Sequence, residues 1–182
     1  ARPYIGTKEG YFTRTSNRHD YALAPFSKTA LDSLKDAGLD VIGVGKIPDI
    51  FVNQGITRKI KTVSNEDGMN KTIELASDNF NGLAFINLVD FDAVYGHRRN
   101  AAGYGKAIEE FDVQLENDDL LMVTADHGND PTYRGTDHTR EQVPLIIYSK
   151  QFNEMKVLND SNSFGIIGST ICDNFNVKYN GI

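Results

Sequence analysis

The apolar residues of this chain follow two different spacings, and each spacing predicts its own kind of element. Short continuous apolar runs are typical of strands that are buried on both faces of a sheet. They stand at residues 40–45, 83–89, 120–124 and 144–148. Apolar residues that recur every three or four positions predict helices at 26–34, 64–76, 104–115 and 164–175. Strands that alternate with helices predict an α/β fold with a mostly parallel sheet flanked by helices.

Polar and small residues stand where these helices should begin and end. Candidate caps are Ser27 or Thr29 for the first helix, Ser64 or Asn65 for the second and Ser163 for the last, with Gly38 ending the first. In the third helix the spacing turns Ala107, Ile108 and Phe111 inward. Residues 1–20 lack helical periodicity and predict loops, with one short strand at 10–13.

Composition limits the classes of protein that fit. The chain has 182 residues, 40% of them hydrophobic, enough for one domain or for one domain with a fragment of a second. A net charge of −6 and a pI of about 5.2 argue against a nucleic-acid partner. Cys172 is the single cysteine, which we expect to be buried, and a reducing compartment fits best.

Targeting signals are not evident in these residues. No apolar stretch approaches the 18 or so residues that a membrane span requires, and no charged-then-apolar leader opens the chain. We therefore expect a cytoplasmic protein with no membrane partner. Because the sequence starts at Ala1 without an initiator methionine, we expect it to be a piece of a longer polypeptide.

Aspartate and histidine are concentrated just after two of the predicted strands. Asp92 and His97 follow the strand at 83–89, and Asp126 and His127 follow the strand at 120–124. In open α/β sheets, ligands bind at the carboxyl ends of the strands, so both pairs fall where a site is expected. A third group, with His138, lies in the loop before the strand at 144–148.

Mixtures of carboxylates and imidazoles suit divalent ions such as Mn²⁺ or Zn²⁺. On a regular strand the side chains of Asp126 and His127 would diverge, so a bend at Gly128 is needed for them to serve one ion or two adjacent ions. Two ions about 4 Å apart could act on the attacking and leaving oxygens of a phosphoryl displacement. Asp90 and Asp137 could each orient a ligand or cap a loop. His19, far from the others in sequence, is interpreted as structural.

Three runs of the sequence resemble the phosphopentomutase family of the alkaline phosphatase superfamily. They are TADHGNDPT at 124–132 continued by GTDHTRE at 135–141, NLVDFD at 87–92 through YGHRR at 95–99, and FTRT at 12–15 with NRHDY at 17–21. An Asp-His-Gly triplet alone would indicate only the wider superfamily. Here the similarity extends over nearly the whole chain.

The resemblance implies an enzyme with an alkaline phosphatase-like core. It implies that this enzyme interconverts ribose or deoxyribose 1-phosphate and 5-phosphate. It implies two divalent ions of the Mn²⁺ type and a phosphorylated threonine. By motif, Asp92, His97 and His138 would bind one ion, and Asp126 and His127 the other. The family binds its pentose phosphate substrate through basic residues, and the candidates here are Arg14, Arg18 and Lys46, whose side chains match phosphate oxygens.

Two parts of the family pattern have no match in this chain. The nucleophilic threonine and one further aspartate ligand belong to an N-terminal segment, so we expect an upstream part of the same polypeptide to complete the site. Residues 1–22 would then be the end of an inserted cap domain, and residues 23–182 the C-terminal part of the metal-binding core. The stretch at 114–119 and the tail after Val177 are shorter than in the family.

Two alternative functions stay open at this point. Another superfamily phosphatase, phosphodiesterase or phosphoglycerate mutase would use the same metal ligands, although the runs at 14–21 and 135–141 favour the mutase. A non-catalytic metal-binding domain is the second alternative, since no residue matches the nucleophile.

Overall fold

Strands and helices alternate along most of the chain, as the apolar pattern predicts. The computed structural model describes residues 4–14, 21–113 and 120–179. Within them, the strands are β1 (Tyr4–Ile5), β2 (Thr13–Arg14), β3 (Asp40–Val44), β4 (Arg58–Ile60), β5 (Gly82–Ile86), β6 (Leu121–Thr124) and β7 (Leu145–Tyr148). The α-helices are α1 (Ala30–Asp36), α2 (Ile47–Ile50), α3 (Asn65–Ala76), α4 (Ala101–Val113) and α5 (Gly165–Asn174), and a π-helix spans Phe91–Gly96.

The core is a parallel sheet of three strands in the order β4-β3-β5, covered by helices on both faces. Successive residues of β3 point to opposite faces. Val41 packs with residues of α1 and α5, among them Leu34 and Cys172. Ile42 packs on the other face with Leu75 of α3. The prediction of an α/β fold with a parallel sheet flanked by helices is therefore confirmed, and so is the burial of Cys172.

The last two predicted strands are not part of that parallel arrangement. β6 and β7 pair with each other, and they are antiparallel, with Leu121 opposite Tyr148 and Thr124 opposite Leu145. The reason lies in their connection: residues 125–144 contain no helix, whereas a parallel pair needs a crossover that is usually helical. The alternation of strand and helix stops at β6, and the chain returns directly beside it.

Near the start of the chain, β1 and β2 form a small antiparallel ribbon with Tyr4 opposite Arg14. The predicted strand at 10–13 is misplaced, because β2 begins only at Thr13 and a turn closed by the Tyr11 amide and the Lys8 carbonyl precedes it. The ribbon is compatible with a separate region at 1–22, but that domain boundary stays a prediction.

Several helix details differ from the sequence pattern. The first helix begins at Ala30 rather than at Phe26. Phe26 lies before the helix and is 96% exposed. Ile108 faces solvent in α4, whereas Ala107 is buried as predicted. The predicted end of α4 at residue 115 lies outside the described residues. The sequence analysis missed α2 and β4, which are short, and it missed the π-helix.

Three helix boundaries agree with the predicted caps. Thr29 is the N-cap of α1, and the Ser64 hydroxyl accepts the Asp67 amide at the start of α3. The prediction for α5 is wrong, because its N-cap is Phe164, although the Ser163 hydroxyl accepts the Gly165 amide. After α1, the Leu39 amide bonds back to the Leu34 carbonyl. No helix in the described ranges has the length and apolar character that a bilayer crossing requires.

A reciprocal capping box starts α1. The Thr29 hydroxyl accepts the Asp32 amide, and Asp32 Oδ2 accepts the Thr29 amide at 2.7 Å. Gln54 donates to the same oxygen at 2.8 Å, which ties the helix to the loop after α2. Partial burial opposes ionisation of Asp32, but the hydrogen bonds from Gln54 and Thr29 outweigh it and lower the pKa of the carboxyl.

We expect the Asp32→Asn variant to lose about 1–2 kcal/mol of folding free energy near neutral pH, which is typical for a cap and a charged hydrogen bond. A depressed folded-state pKa stabilises the fold above the unfolded-state pKa of about 3.9, and the gain is lost as pH falls through the folded value. The difference from wild type should therefore shrink in acid. Urea unfolding at several pH values measures it. Asp36→Asn, which removes an exposed ion pair with Lys28, should cost much less than Asp32→Asn, because exposed ion pairs contribute little to stability.

Candidate metal centre

Three loops converge at one end of the molecule, and each contributes an aspartate or histidine. The π-helix after β5 supplies Asp92, with His97 directly after it. The segment after β6 supplies His127, and the loop before β7 supplies His138. Contacts among these four side chains are direct, so the structure brings together four of the five residues predicted as metal ligands in one cluster.

The π-helix explains how two residues five positions apart face the same point. The His97 amide donates to the Asp92 carbonyl at 3.0 Å, which is the i to i+5 bond of a π-helix. In an α-helix, residues five apart point in different directions. Here His97 Nε2 lies 3.3 Å from Asp92 Oδ1. The wider turn therefore aligns the two side chains, and π-turns of this kind occur often at functional sites.

Asp92, His97 and His138 form a nearly equilateral triangle of donor atoms. Asp92 Oδ1 lies 3.3 Å from His97 Nε2 and 3.3 Å from His138 Nε2, and the two nitrogens are 3.2 Å apart. Ligands bound at 2.0–2.2 Å to one tetrahedral ion would stand about 3.4 Å from one another. One carboxylate and two imidazoles at this spacing fit a single divalent ion.

His127 is part of the same cluster, and Asp126 is at its margin. The His127 ring stacks on the His138 ring with centroids 3.6 Å apart. Ligand atoms of Asp92, His127 and His138 all lie within 4.8 Å of one another. The Asp126 side chain is 81% exposed, and its carboxylate lies 3.8 Å from His127 Nε2. The side chains therefore do not divide visibly into two ligand sets, and that assignment stays a prediction.

Backbone carbonyls hold two of the imidazoles in the orientation that a metal ligand needs. His97 Nδ1 lies 2.5 Å from the Thr136 carbonyl oxygen, and His127 Nδ1 lies 3.1 Å from that of Gly128. A carbonyl only accepts hydrogen bonds, so each Nδ1 carries the proton and each Nε2 keeps a free lone pair. Such partners fix the tautomer of histidine ligands and orient their rings.

A backbone bridge joins the loops that carry His127 and His138. Gly128 pairs with Thr139, whose hydroxyl accepts the Asp130 amide at 2.7 Å and donates to Glu141 at 2.5 Å. A Cβ at Gly128 would overlap the Glu141 carboxylate and lie 2.6 Å from the Thr139 carbonyl, so only glycine allows this approach. The bend predicted at Gly128 stays a prediction, and the glycine is required here by the close contact between the two loops.

The charge of Glu141, in the third loop, acts on Tyr104 of α4. Burial raises the pKa of the Tyr104 phenol, and the negative charge of Glu141 raises it further. Tyr104 in turn contacts Phe91 at the start of the π-helix, with ring centroids 5.1 Å apart. The helix α4 therefore packs against the π-helix that carries Asp92, and its Tyr104 is near the charge of Glu141 in the loop that carries His138.

Sequence reasoning missed Asn129. Its Nδ2 donates to Asp92 Oδ1 at 2.6 Å, so it links the loop after β6 to the π-helix. The only signal in the sequence is its place two residues after His127. Asp90 caps α3 instead of facing the site, because its Oδ2 accepts the Asn65 amide at 2.7 Å. Asp137 makes no hydrogen bond or ion pair within the described part of the chain.

The predicted substrate residues are only partly described. Arg14 lies in β2, but its side chain, like all of Arg18 and His19, is outside the described residues. Lys46 is half-buried and follows β3, next to the point where the Asn87 amide bonds the Val44 carbonyl. It is therefore at the carboxyl end of the parallel sheet, the same end as Asp92, and its role in substrate binding stays a prediction.

Comparisons with known proteins show which proteins this chain is similar to. A family profile described as "Metalloenzyme superfamily" matches residues 4–179. Similar proteins named phosphopentomutase occur in Agathobacter rectalis (57% identity), Clostridium botulinum (56%) and Clostridium tetani (55%). The matches cover 97–98% of the present chain and 46–47% of each relative. The chain thus spans about half the length of these curated relatives.

Proposed function

This chain belongs to the metalloenzyme superfamily, and from that membership we propose that it is the metal-binding part of a phosphopentomutase. The observation that carries the proposal is the donor triangle of Asp92, His97 and His138, with sides of 3.2–3.3 Å. Similarity to three proteins of that name supports the choice of reaction. Because those proteins are about twice as long, activity and substrate are proposed for the whole polypeptide.

The proposed cofactors are two divalent ions, with Mn²⁺ as the preferred identity because the donors mix oxygen and imidazole nitrogen. Asp92, His97 and His138 would hold one ion, and Asp126 and His127 the other, together with an aspartate from an upstream segment. When bound, such ions neutralise charge on the attacking and leaving oxygens of an in-line phosphoryl displacement.

The described residues would orient the metal ligands and leave one side of the site open to the substrate. The Thr136 carbonyl holds the His97 ring in place, so the ring would not need to rotate when a metal ion binds. The side chains of Asp92 and His138 are 36% and 46% exposed, which leaves an open side where a phosphate ester could approach. Positioning and electrostatics of this kind supply most of the rate in phosphoryl transfer.

The proposed reaction uses a phosphothreonine from outside these 182 residues. Its P–O bond breaks, and the phosphoryl group bonds to the free hydroxyl oxygen of a pentose monophosphate, which loses its proton. The bisphosphate then reorients, the P–O bond between the sugar and its other phosphoryl group breaks, that group bonds to the threonine oxygen, and the released sugar oxygen takes up a proton. Only the position of phosphate on the sugar changes. Water must be kept away during the cycle, since it would hydrolyse the phosphoenzyme.

A pentose phosphate is a dianion, and the chain that would bind it has a net charge of −6. Binding therefore requires cations placed locally, and Arg14, Arg18 and Lys46 are the proposed contacts beside the metal ions. Arg14 and Arg18 would act from residues 1–22, the proposed end of the cap domain, which would close over the core. The single cysteine, Cys172, is buried and is compatible with a reducing compartment.

Two assays of the full-length protein test the proposal. With Mn²⁺, ribose 5-phosphate should form from ribose 1-phosphate, and a chelator should abolish the conversion until Mn²⁺ is restored. Hydrolysis of a generic phosphate ester should be slower by at least about 100-fold, since a mutase excludes water. Fast hydrolysis without isomerisation would indicate a phosphatase. Tight Mn²⁺ binding with neither reaction would indicate a non-catalytic metal-binding protein.

A further inference from the structure

Asn129 lies between two of the loops that form the cluster, and it contacts the atom on which the donor triangle depends. Its Nδ2 is 2.6 Å from Asp92 Oδ1, the same oxygen that lies 3.3 Å from both His97 Nε2 and His138 Nε2. A carboxylate only accepts hydrogen bonds, so the amide nitrogen of Asn129 must face it. This contact is charge-assisted and belongs to the stronger class of hydrogen bonds.

The Asn129 side chain packs against Gly96, which is the buried last residue of the π-helix. A Cβ added to Gly96 would lie 2.5 Å from Asn129 Cγ, 2.5 Å from Nδ2 and 2.9 Å from Oδ1. These distances are shorter than any ordinary contact of a methyl group, so the carboxamide lies directly against the Gly96 backbone. Any larger residue at position 96 would push the amide away from Asp92.

We propose that Asn129 is a positioning residue that fixes the metal-facing oxygen of Asp92, and that Gly96 provides the space this requires. The inference rests on the proposed metal site. Asn129 follows His127 by two residues, whereas Asp92 belongs to the π-helix, so the bond also sets the distance between two ligand-bearing loops. Without it, Asp92 can rotate and the loops can move independently.

Partners that orient ligating carboxylates typically change metal affinity by about 10–100-fold when they are removed. The Asn129→Ala variant of the full-length protein should therefore bind Mn²⁺ about 10–100-fold more weakly than wild type. Gly96→Ala should weaken binding by a similar factor, because it displaces the Asn129 amide. Free Mn²⁺ measured by electron paramagnetic resonance during a titration gives the affinities directly.

The double variant shows whether Gly96→Ala acts through Asn129 or affects metal binding independently. If Gly96→Ala acts through Asn129, adding it to Asn129→Ala should cause no further loss, because the amide it displaces is already gone. Gly105→Ala is the matched control: it lies in α4, where an added Cβ meets nothing within 4 Å. Its Mn²⁺ affinity should equal that of wild type within about twofold, as expected for an isolated surface change.

Each other result has a defined meaning. Wild-type affinity in Asn129→Ala, or losses that multiply in the double variant, would overturn the inference and leave the metal site intact. A large fall in the melting temperature of metal-free Asn129→Ala would show that the residue supports the fold, which also overturns it. Failure of the wild-type protein to bind Mn²⁺ would overturn both the inference and the proposed function.

Discussion

Replacing Asp92 by asparagine is expected to weaken Mn²⁺ binding by more than about 100-fold, which exceeds the loss expected for a supporting residue alone. Asp92 is shared by both candidate ligand triads, one with His97 and His138 and one with His127 and His138. Asparagine keeps the shape but removes the negative charge. In the full-length enzyme the rate of isomerisation should fall by about 10³-fold, the scale seen when one electrostatic contact to the transition state is lost.

A matched substitution distinguishes this effect from a general loss of negative charge near the site. Asp137 precedes His138, is exposed and makes no hydrogen bond or ion pair within the described ranges. Asp137→Asn should bind Mn²⁺ within about threefold of wild type, because an unpartnered surface charge contributes little. Calorimetric titration of both variants provides the comparison. Equal losses in the two variants would mean that Asp92 acts only as a local charge, which would contradict its role as a ligand.

The Leu34→Ala variant is expected to lose about 3 kcal/mol of unfolding free energy, within the 2–5 kcal/mol range of such core truncations. Leu34 is fully buried in the cluster that joins α1, β3 and α5, where Val41 and Cys172 are its neighbours. Truncation removes apolar contacts and leaves a cavity that these close-packed elements can fill only in part. Urea unfolding, followed by circular dichroism, measures the change.

An identical substitution on the surface provides the control. Leu23 is 93% exposed, so Leu23→Ala should change the unfolding free energy by less than about 0.5 kcal/mol. A loss at Leu34 no larger than that at Leu23 would mean that the α1 face of the sheet is not packed as described. Such a result would also weaken the account of the metal centre, since that centre is built at the carboxyl end of the same sheet.

Those parts of the fold that bury apolar residues were predictable from sequence. β3 and β5 are continuous apolar runs, and α3 has its Ser64 cap. β4 was missed because Arg58 and Lys59 supply two of its three residues and only the parallel pairing with β3 defines it. The antiparallel pairing of β6 and β7 was missed because an apolar run contains no information on strand direction, and the burial predicted for the last run is wrong, since Ile146 is 57% and Tyr148 48% exposed.

The candidate site was predictable in its residues but not in its geometry. Aspartate and histidine in the segments after β5 and β6 indicated a candidate metal site from sequence alone, because ligands commonly bind at the carboxyl ends of strands in α/β proteins. The π-helix that aligns Asp92 with His97 has no distinct apolar period, so the pattern did not reveal it. The Thr136 carbonyl that orients His97 is a backbone group, and no side-chain pattern reports it. Asn129 is likewise visible only as a contact.

The residues predicted to bind the pentose phosphate are only partly within the described part of the chain. Lys46 lies at the carboxyl end of the parallel sheet, while Arg18 lies outside the described residues. The segment that contains Arg14 and Arg18 is polar and has no apolar periodicity. Its position relative to the sheet therefore could not be predicted from the sequence. The phosphate contacts stay predictions, which rest on the family resemblance and on the match of these side chains to phosphate oxygens.

One carboxylate and two imidazoles from two segments of the chain are proposed to surround a divalent cation. Anomalous diffraction at the manganese absorption edge, from crystals of the full-length protein soaked in Mn²⁺, tests this proposal most directly. The account predicts a peak within bonding distance of Asp92 Oδ1, His97 Nε2 and His138 Nε2, with a second peak beside Asp126 and His127. Peaks that lie away from these atoms, or His97 and His138 turned apart with no ion between them, would contradict it.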